Sequence, residues 1–484
     1  MAEIFNTDIV VIAAGPAGLA AAISATEEGA RVVVLEKTNT TGGTANMGMG
    51  PMAVETRQQR EKLCGLTREK AFYEFMNYTH WRSDALLVKK YIDKSADTIE
   101  WLEDMGVEFV EPSKFYDDSE PTWHYVKPDV GEPGPRAAAT MMKRMTERAQ
   151  EMDIPILLET WATDIQMEDG RVTGVHATNR DGENLLFECK AAIIATGGFA
   201  SNHEWMKKYT GYTYGKDIFS FEGTNLTGDG IRMAWACGAA PTEMHMELNY
   251  RIPENMGHFA IDAVMRQPNL MVNKLGERFY NEGMLGNGTF AANAIDMQKD
   301  KQAFIIMDDS IKKYYRRNGL DLISIVHGTS IMEQFEDDVQ AALSEGYEHF
   351  FVADSIEDLA SQIEVPYNTL AETIEQYNAD CAGRDTLFGK DYRYMKPLVG
   401  PKFYCARFCV AAYGTLGGIK INHRTEVIRK DYTPICGLYA AGTDACSIYG
   451  DSYVFLLPGN TMGFALNSGR MAGENASDYV LSDE

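Results

Sequence analysis

The chain predicts an α/β fold in which a parallel-sheet domain is interrupted by an inserted domain of mixed α and β character. Three observations predict it. An apolar strand runs through a small-residue turn into an Ala-rich helix near the start. A second buried-type strand, Ala191 to Ala195, ends in glycines. After a stretch of polar helices between about Glu247 and Pro397, glycine-rich sequence of the first kind returns.

The first elements carry the most information. Asp8-Ile9-Val10-Val11-Ile12 is a β-type run, Ala13-Ala14-Gly15-Pro16-Ala17-Gly18 turns, and Leu19 to Glu28 reads as a helix. A second strand, Arg31 to Leu35, ends at Glu36 and Lys37. Amides at a helix N-terminus can meet a pyrophosphate, and an acid closing the next strand can accept from a ribose hydroxyl. The order strand, turn, helix, strand, acid therefore points to a dinucleotide. Ala13 replaces the first glycine of G-x-G-x-x-G, and its Cβ restricts positive φ, so a slightly shifted turn is expected.

Bulk properties narrow the class. At 484 residues the chain implies two or three domains, and 45% hydrophobic residues make it globular. A net charge of −25 argues against nucleic acid or anionic lipid as a partner. The start carries Glu3 and Asp8 and does not resemble a signal peptide, and the longest apolar run is broken by glycine and proline. The eight cysteines form no C-x-x-C pair, so no metal or cluster is expected. A cytoplasmic protein with reduced thiols and an organic cofactor is the expectation.

Further along, Thr40 to Gly50 is dense in glycine, and Glu69 to Met105 is helical, with Phe72, Phe75, Met76, Leu86, Leu87, Tyr91, Ile99 and Leu102 as a core stripe. Residues 111–135 read as a loop, Arg136 to Met152 as a helix, and Ile154 to Ala177 as a β-meander that begins with Ile156-Leu157-Leu158. Thr227-Gly228-Asp229-Gly230 opens a helix, and Pro366 starts another. The segments Thr415 to Gly418, Leu438 to Gly442 and Pro458 to Gly463 close the pattern.

Together these segments resemble the FAD-dependent fumarate reductase/succinate dehydrogenase flavoprotein superfamily, in its soluble branch with 3-ketosteroid dehydrogenases and bacterial enoate reductases. The motifs are the N-terminal fingerprint, Gly42-Gly43-Thr44, Ala195-Thr196-Gly197-Gly198-Phe199, Thr227 to Gly230, Val272 to Phe279, Tyr377-Asn378, Gly417-Gly418 and Gly469-Arg470-Met471-Ala472-Gly473. The resemblance implies a Rossmann-like, glutathione-reductase-like FAD-binding domain (1–246 and 398–484) interrupted by an α+β capping domain (247–397). It implies non-covalent FAD, since no histidine sits in the Gly42–Gly50 loop. FAD contacts would come from Ala14, Gly15, Pro16, Ala17, Gly18, Glu36 and Lys37, then from Gly42, Gly43, Thr44, Met47, Gly48, Met49 and Gly50. Ala162, Ala195, Thr196, Gly197, Gly198, Asn202, Thr227, Asp229, Gly442, Thr443, Asn460, Thr461 and Met462 would complete them.

Departures from the resemblance set the substrate expectation. Fumarate reductases grip a dicarboxylate with two His and two Arg; here the matching places read Ile252-Pro253, Asn281 to Asn287 without arginine, Tyr413 before Gly414, and Gly459-Asn460-Thr461-Met462-Gly463. A dianion needs paired cations in a dry cleft, so fumarate is not expected. The closing Pro-Gly-Asn-Thr-Met-Gly is similar to that of ketosteroid dehydrogenases, with their preceding tyrosine falling at Phe455 and with Tyr449 or Tyr453 as a displaced phenol. The expectation is an enzyme that reduces the C=C bond of a small α,β-unsaturated carbonyl compound by hydride transfer from flavin N5. Tyr413 is the candidate proton handler, Tyr125 a second cavity residue, and Arg266 a relay cation. Desaturation next to a ketone, or an electron-transfer subunit of a larger complex, are the alternatives. No haem motif or second dinucleotide fingerprint is visible, so a separate reductase, flavodoxin or reduced carrier is the expected electron donor.

Overall fold

Five neighbouring strands run parallel in a ten-stranded sheet, from Pro434–Ala440 through Ala191–Ile194, Ile9–Ile12 and Val32–Leu35 to Ile156–Leu157 at the edge. Ile9 to Ile12 and Ala191 to Ile194 are buried on both faces, as their unbroken apolar runs require. The computed structural model describes residues 3–220, 225–253, 258–322 and 331–482. The sheet belongs to a first unit made of Met1–Gly211, Glu222–Glu247 and Gly414–Glu484.

The turn after Ile12 accommodates its alanine. Ala13 itself adopts φ 89°, the left-handed region that favours glycine, and its N–H bonds Leu35 O at 2.8 Å. A Cβ on Gly18 would collide with Ala13 O, so that glycine is required by close approach. The helix that follows, Pro16–Glu27, is buried along most of its length. It packs on the Asn460–Leu481 helix. Gly469 and Gly473 face Ala17 O and Ala21 O, with no room for a side chain, and Ser477 Oγ donates to Ala25 O.

Other elements differ from expectation for local reasons. Ile156–Leu157 does not start the meander but pairs in parallel with Val32–Leu35, through Glu36 N to Leu157 O. The meander is Thr160–Glu168, Arg171–Asn179 and Asn184–Glu188, all antiparallel. The 69–105 region is two helices, Arg68–Tyr78 and Ala85–Asp104, separated by left-handed His80 and Trp81 and restarted by Asp84, which caps Leu86 and Leu87 N–H. Leu86 leaves the core stripe and is exposed. The 111–135 loop is tied to the glycine run: Trp123 Nε1 donates to Gly50 O at 2.7 Å and Val126 N to Met49 O at 2.9 Å.

The second unit comprises Tyr212–Phe221 and Leu248–Tyr413. Residues 398–413 therefore group with it. Its six-stranded sheet is organised by the strand Phe403–Leu416, which pairs with four others, Gln302–Asp308 and Phe350–Ala353 antiparallel to it. Among the described residues, no helix is long and apolar enough to cross a membrane.

Candidate functional site

The motif residues of the first unit converge on the turn at Ala13–Gly18. Gly42 N donates to Ala14 O at 2.8 Å, and Gly43 lies against Gly15. Glu36 is buried, its carboxylate accepting from Ala14 N at 2.7 Å and from Thr38 N and Oγ1 at 2.8 and 2.7 Å. Those bonds fix the acid at the strand end and leave a lone pair for a further donor. Thr160 N reaches Glu36 O, which brings the strand carrying Ala162 to the same edge.

Thr196-Gly197-Gly198 ends its strand with three amides that all donate to one buried carboxylate, Asp444, with Gly198 N to Oδ1 at 2.9 Å. Thr196 Oγ1 adds a fourth bond at 2.9 Å. Asp444 thus pins this turn beside Gly442 and Thr443, and Gly442 in turn lies against Ala17. Asp444 escaped sequence reasoning, although three consecutive amides leaving a buried strand demand an acceptor.

A third cluster joins Lys37, Thr227 and Asp229. Lys37 Nζ lies 3.0 Å from both Thr227 Oγ1 and Asp229 Oδ2. Burial pushes the Asp229 carboxyl up, but the Thr227 hydroxyl and Lys37 outweigh it and hold the group below its usual range. Asn202 bonds Thr227 O and Trp205 N, so its side chain serves the local turn. At the start of the long last helix, Asn460 Oδ1 receives Tyr91 and Tyr449 hydroxyls, and Thr461 N donates to Tyr453 Oη at 3.1 Å. The displaced phenols are therefore bonded to this helix end. Met52 N to Gly459 O, at 2.8 Å, brings the Met47–Gly50 run to the same place, with Met462 packed on Gly48.

Tyr125 is fully buried at a ring distance of 4.8 Å from Trp123, and its hydroxyl has no hydrogen-bond partner. Next to it, His124 donates from Nδ1 to Thr122 O and accepts at Nε2 from Thr56 Oγ1. Burial pushes the His124 imidazolium down to about 4, so this ring is neutral.

The other two candidate proton handlers lie in the second unit. Arg266 Nε bonds Asp262 Oδ2 at 2.6 Å, with its guanidinium 4.7 Å from the Tyr250 ring. Burial works against the charge of Arg266, but Asp262 outweighs it and holds the group above its ordinary value. Asp262 Oδ1 is buried without a hydrogen-bond partner. Tyr413 is within electrostatic reach of Arg266 and remains 44% exposed in a mostly buried strand. Asp262 was missed by sequence reasoning, although an acid four residues before an arginine is a readable helix pair.

The FAD binding domain family matches residues 8–461, and the chain belongs to it. It is an FAD-dependent oxidoreductase. It is 33% identical over 490 residues to the vinyl phenol reductase of Lactiplantibacillus plantarum, covering 98% of this chain and 97% of that protein. The urocanate reductase of Eggerthella lenta is 28% identical over 495 residues, covering 98% and 75%. Among solved structures, the open conformation of a flavocytochrome c3 fumarate reductase is similar, with a TM-score of 0.72, 25% identity, and coverage of 99% and 79%. The first unit fits such a cofactor on two counts. The space a Cβ at Gly15 would occupy is open, as close approach of a phosphate requires, and the Tyr125 hydroxyl is an unspent buried donor.

Proposed function

We propose that the protein reduces the C=C bond of a small conjugated substrate, an enone or enoate or an alkene conjugated to an aromatic ring, and not fumarate. The first unit is the Rossmann-like FAD domain and the second the capping domain; the five parallel strands and the glycine turn support the first assignment. FAD, when bound, supplies hydride from N5 to one alkene carbon. The turn at Ala14–Gly18 binds its phosphates, Glu36 its ribose, and the first turn of the Asn460–Leu481 helix its ring end. The Tyr125 hydroxyl donates to a polar atom of the bound ligands.

Tyr413 delivers the proton to the neighbouring carbon, and its phenolate is stabilised by Arg266. Asp262 holds Arg266 in place and, through its open Oδ1, returns the proton. The single observation that carries this reading is the buried Arg266–Asp262 pair with one unsatisfied carboxylate oxygen beside a half-exposed phenol. The resemblance to a vinyl phenol reductase over nearly both full lengths supports the conjugated alkene.

The test is anaerobic reduction of the purified yellow protein, followed by mixing with a vinyl phenol, an enone, an enoate and fumarate. Reoxidation of the flavin by a conjugated alkene and not by fumarate is expected. A colourless protein that refuses FAD, or reoxidation by fumarate alone, overturns the reading.

A further inference from the structure

One buried acid has no part in the scheme above. Glu247, on the strand His245–Arg251, is 4% exposed. Its Oε1 accepts from Thr461 Oγ1 at 2.8 Å, and its Oε2 lies against Gly414, where a Cβ would stand 3.2 Å away. Among the described residues no cation pairs with it. The titratable groups that sense its charge are Cys446, Tyr449 and Tyr453. Burial pushes all three upward, so they are neutral at ordinary pH and do not hold Glu247 ionised.

Thr461 is the link. It sits in the first turn of the 22-residue Asn460–Leu481 helix, its N–H given to Tyr453 and its hydroxyl to Glu247. One hydroxyl therefore separates a buried carboxyl from the helix end assigned above to the flavin ring. Burial sets that carboxyl to titrate at about 7. A unit negative charge added about 10 Å away, at an effective dielectric constant of about 20, raises a carboxylate's proton affinity about tenfold.

We propose that Glu247 is a positioning residue that takes up a proton when the flavin is reduced, acting through Thr461. The inference rests on the FAD reading above. Two electrons from the donor and one proton from solvent reduce the flavin; a second solvent proton converts the Glu247 carboxylate to the acid. Reoxidation by substrate returns that second proton. Uptake by Glu247 is confined to the interval between its oxidised-state and reduced-state titrations.

The experiment is a spectroelectrochemical titration of the holoenzyme across neutral pH, comparing wild type with Glu247→Gln. The amide oxygen still accepts from Thr461, but the side chain no longer titrates. Wild type is expected to take up about half a proton more per flavin than Glu247→Gln between about pH 7 and 8. Equal proton uptake in the two proteins overturns the proposal. Should the variant fail to fold or to hold flavin, the reduced-minus-oxidised infrared spectrum of wild type near neutral pH decides. A protonated carboxyl band that appears on reduction supports the role, and its absence overturns it. A wild-type protein without flavin refutes instead the reading on which this one rests.

Discussion

Two buried ionic clusters in the second unit use the same residue types in opposite ways. Around Arg278 every charge is answered. Glu282 takes Nε at 2.9 Å and Nη2 at 2.7 Å, and Asp385 takes Nη1 at 2.6 Å and Nη2 at 2.9 Å. Lys390 lies 3.4 Å from Glu282 and donates to the Tyr377 hydroxyl, so two cations meet two anions. Around Arg266 the balance is incomplete. Asp262 is its carboxylate, with one oxygen unspent, and Arg251 is close enough that burial and the Arg266 charge both pull its proton affinity down. A saturated cluster holds a fold together, whereas an unsaturated one keeps capacity for a ligand or a proton.

The sharpest test of that contrast removes one carboxylate from each cluster. Asp385→Ala leaves Arg278 and Lys390 buried against Glu282 alone. It is expected to cost about 3–5 kcal/mol in denaturant unfolding, with turnover per bound flavin unchanged. Asp262→Asn still accepts from Arg266 but cannot carry a proton. Turnover should fall about 100-fold, with a much smaller loss of stability. If Asp262→Asn unfolds the protein as Asp385→Ala does, the two clusters are alike and the contrast fails. Tyr413→Phe should match the kinetic loss of Asp262→Asn without bleaching the flavin; normal turnover would reduce Tyr413 to a packing residue.

Acid sharpens the same comparison. Burial raises the Asp385 carboxyl, but bonds from Arg278 and from Lys390 N–H outweigh it and bring it from 3.8 to about 2. The unfolded carboxyl binds its proton first as pH falls. The resulting stabilisation, about 2 kcal/mol, is complete above about pH 4 and is lost as the pH approaches 2. Unfolding measured from about pH 5 to about pH 2.5 should show this acid limb in wild type and a flatter one in Asp385→Ala. The smallest effect lies in the first unit. Ala13→Gly should relieve the left-handed strain at φ 89° and stabilise the protein by about 1 kcal/mol, read as a rise in the unfolding midpoint.

What could be read in the chain follows the range of the interactions involved. The turn at Ala13–Gly18, its flanking strands and the acid Glu36 lie within one short segment, so local pattern sufficed. Its φ did not follow, because the surrounding sheet imposes a conformation that alanine alone avoids. Asp444 and Glu247 are single acids whose partners lie at Thr196–Gly198 and Thr461, 248 and 214 residues away at the widest. No spacing rule reaches that far. The strand Phe403–Leu416 was missed because it is buried on both faces and lacks the alternation that marks a strand. The two-residue strand Ile156–Leu157 is set by its neighbours rather than by its own sequence.

Ser477 reaches Ala25 across 452 residues of chain, and Gly469 and Gly473 press against Ala17 and Ala21. During synthesis the Pro16–Glu27 helix therefore emerges long before its backing partner. At about 5–20 residues per second that interval is roughly 20–90 s. Throughout it, the alanine flank that this helix presents to Gly469 and Gly473 is without its native cover.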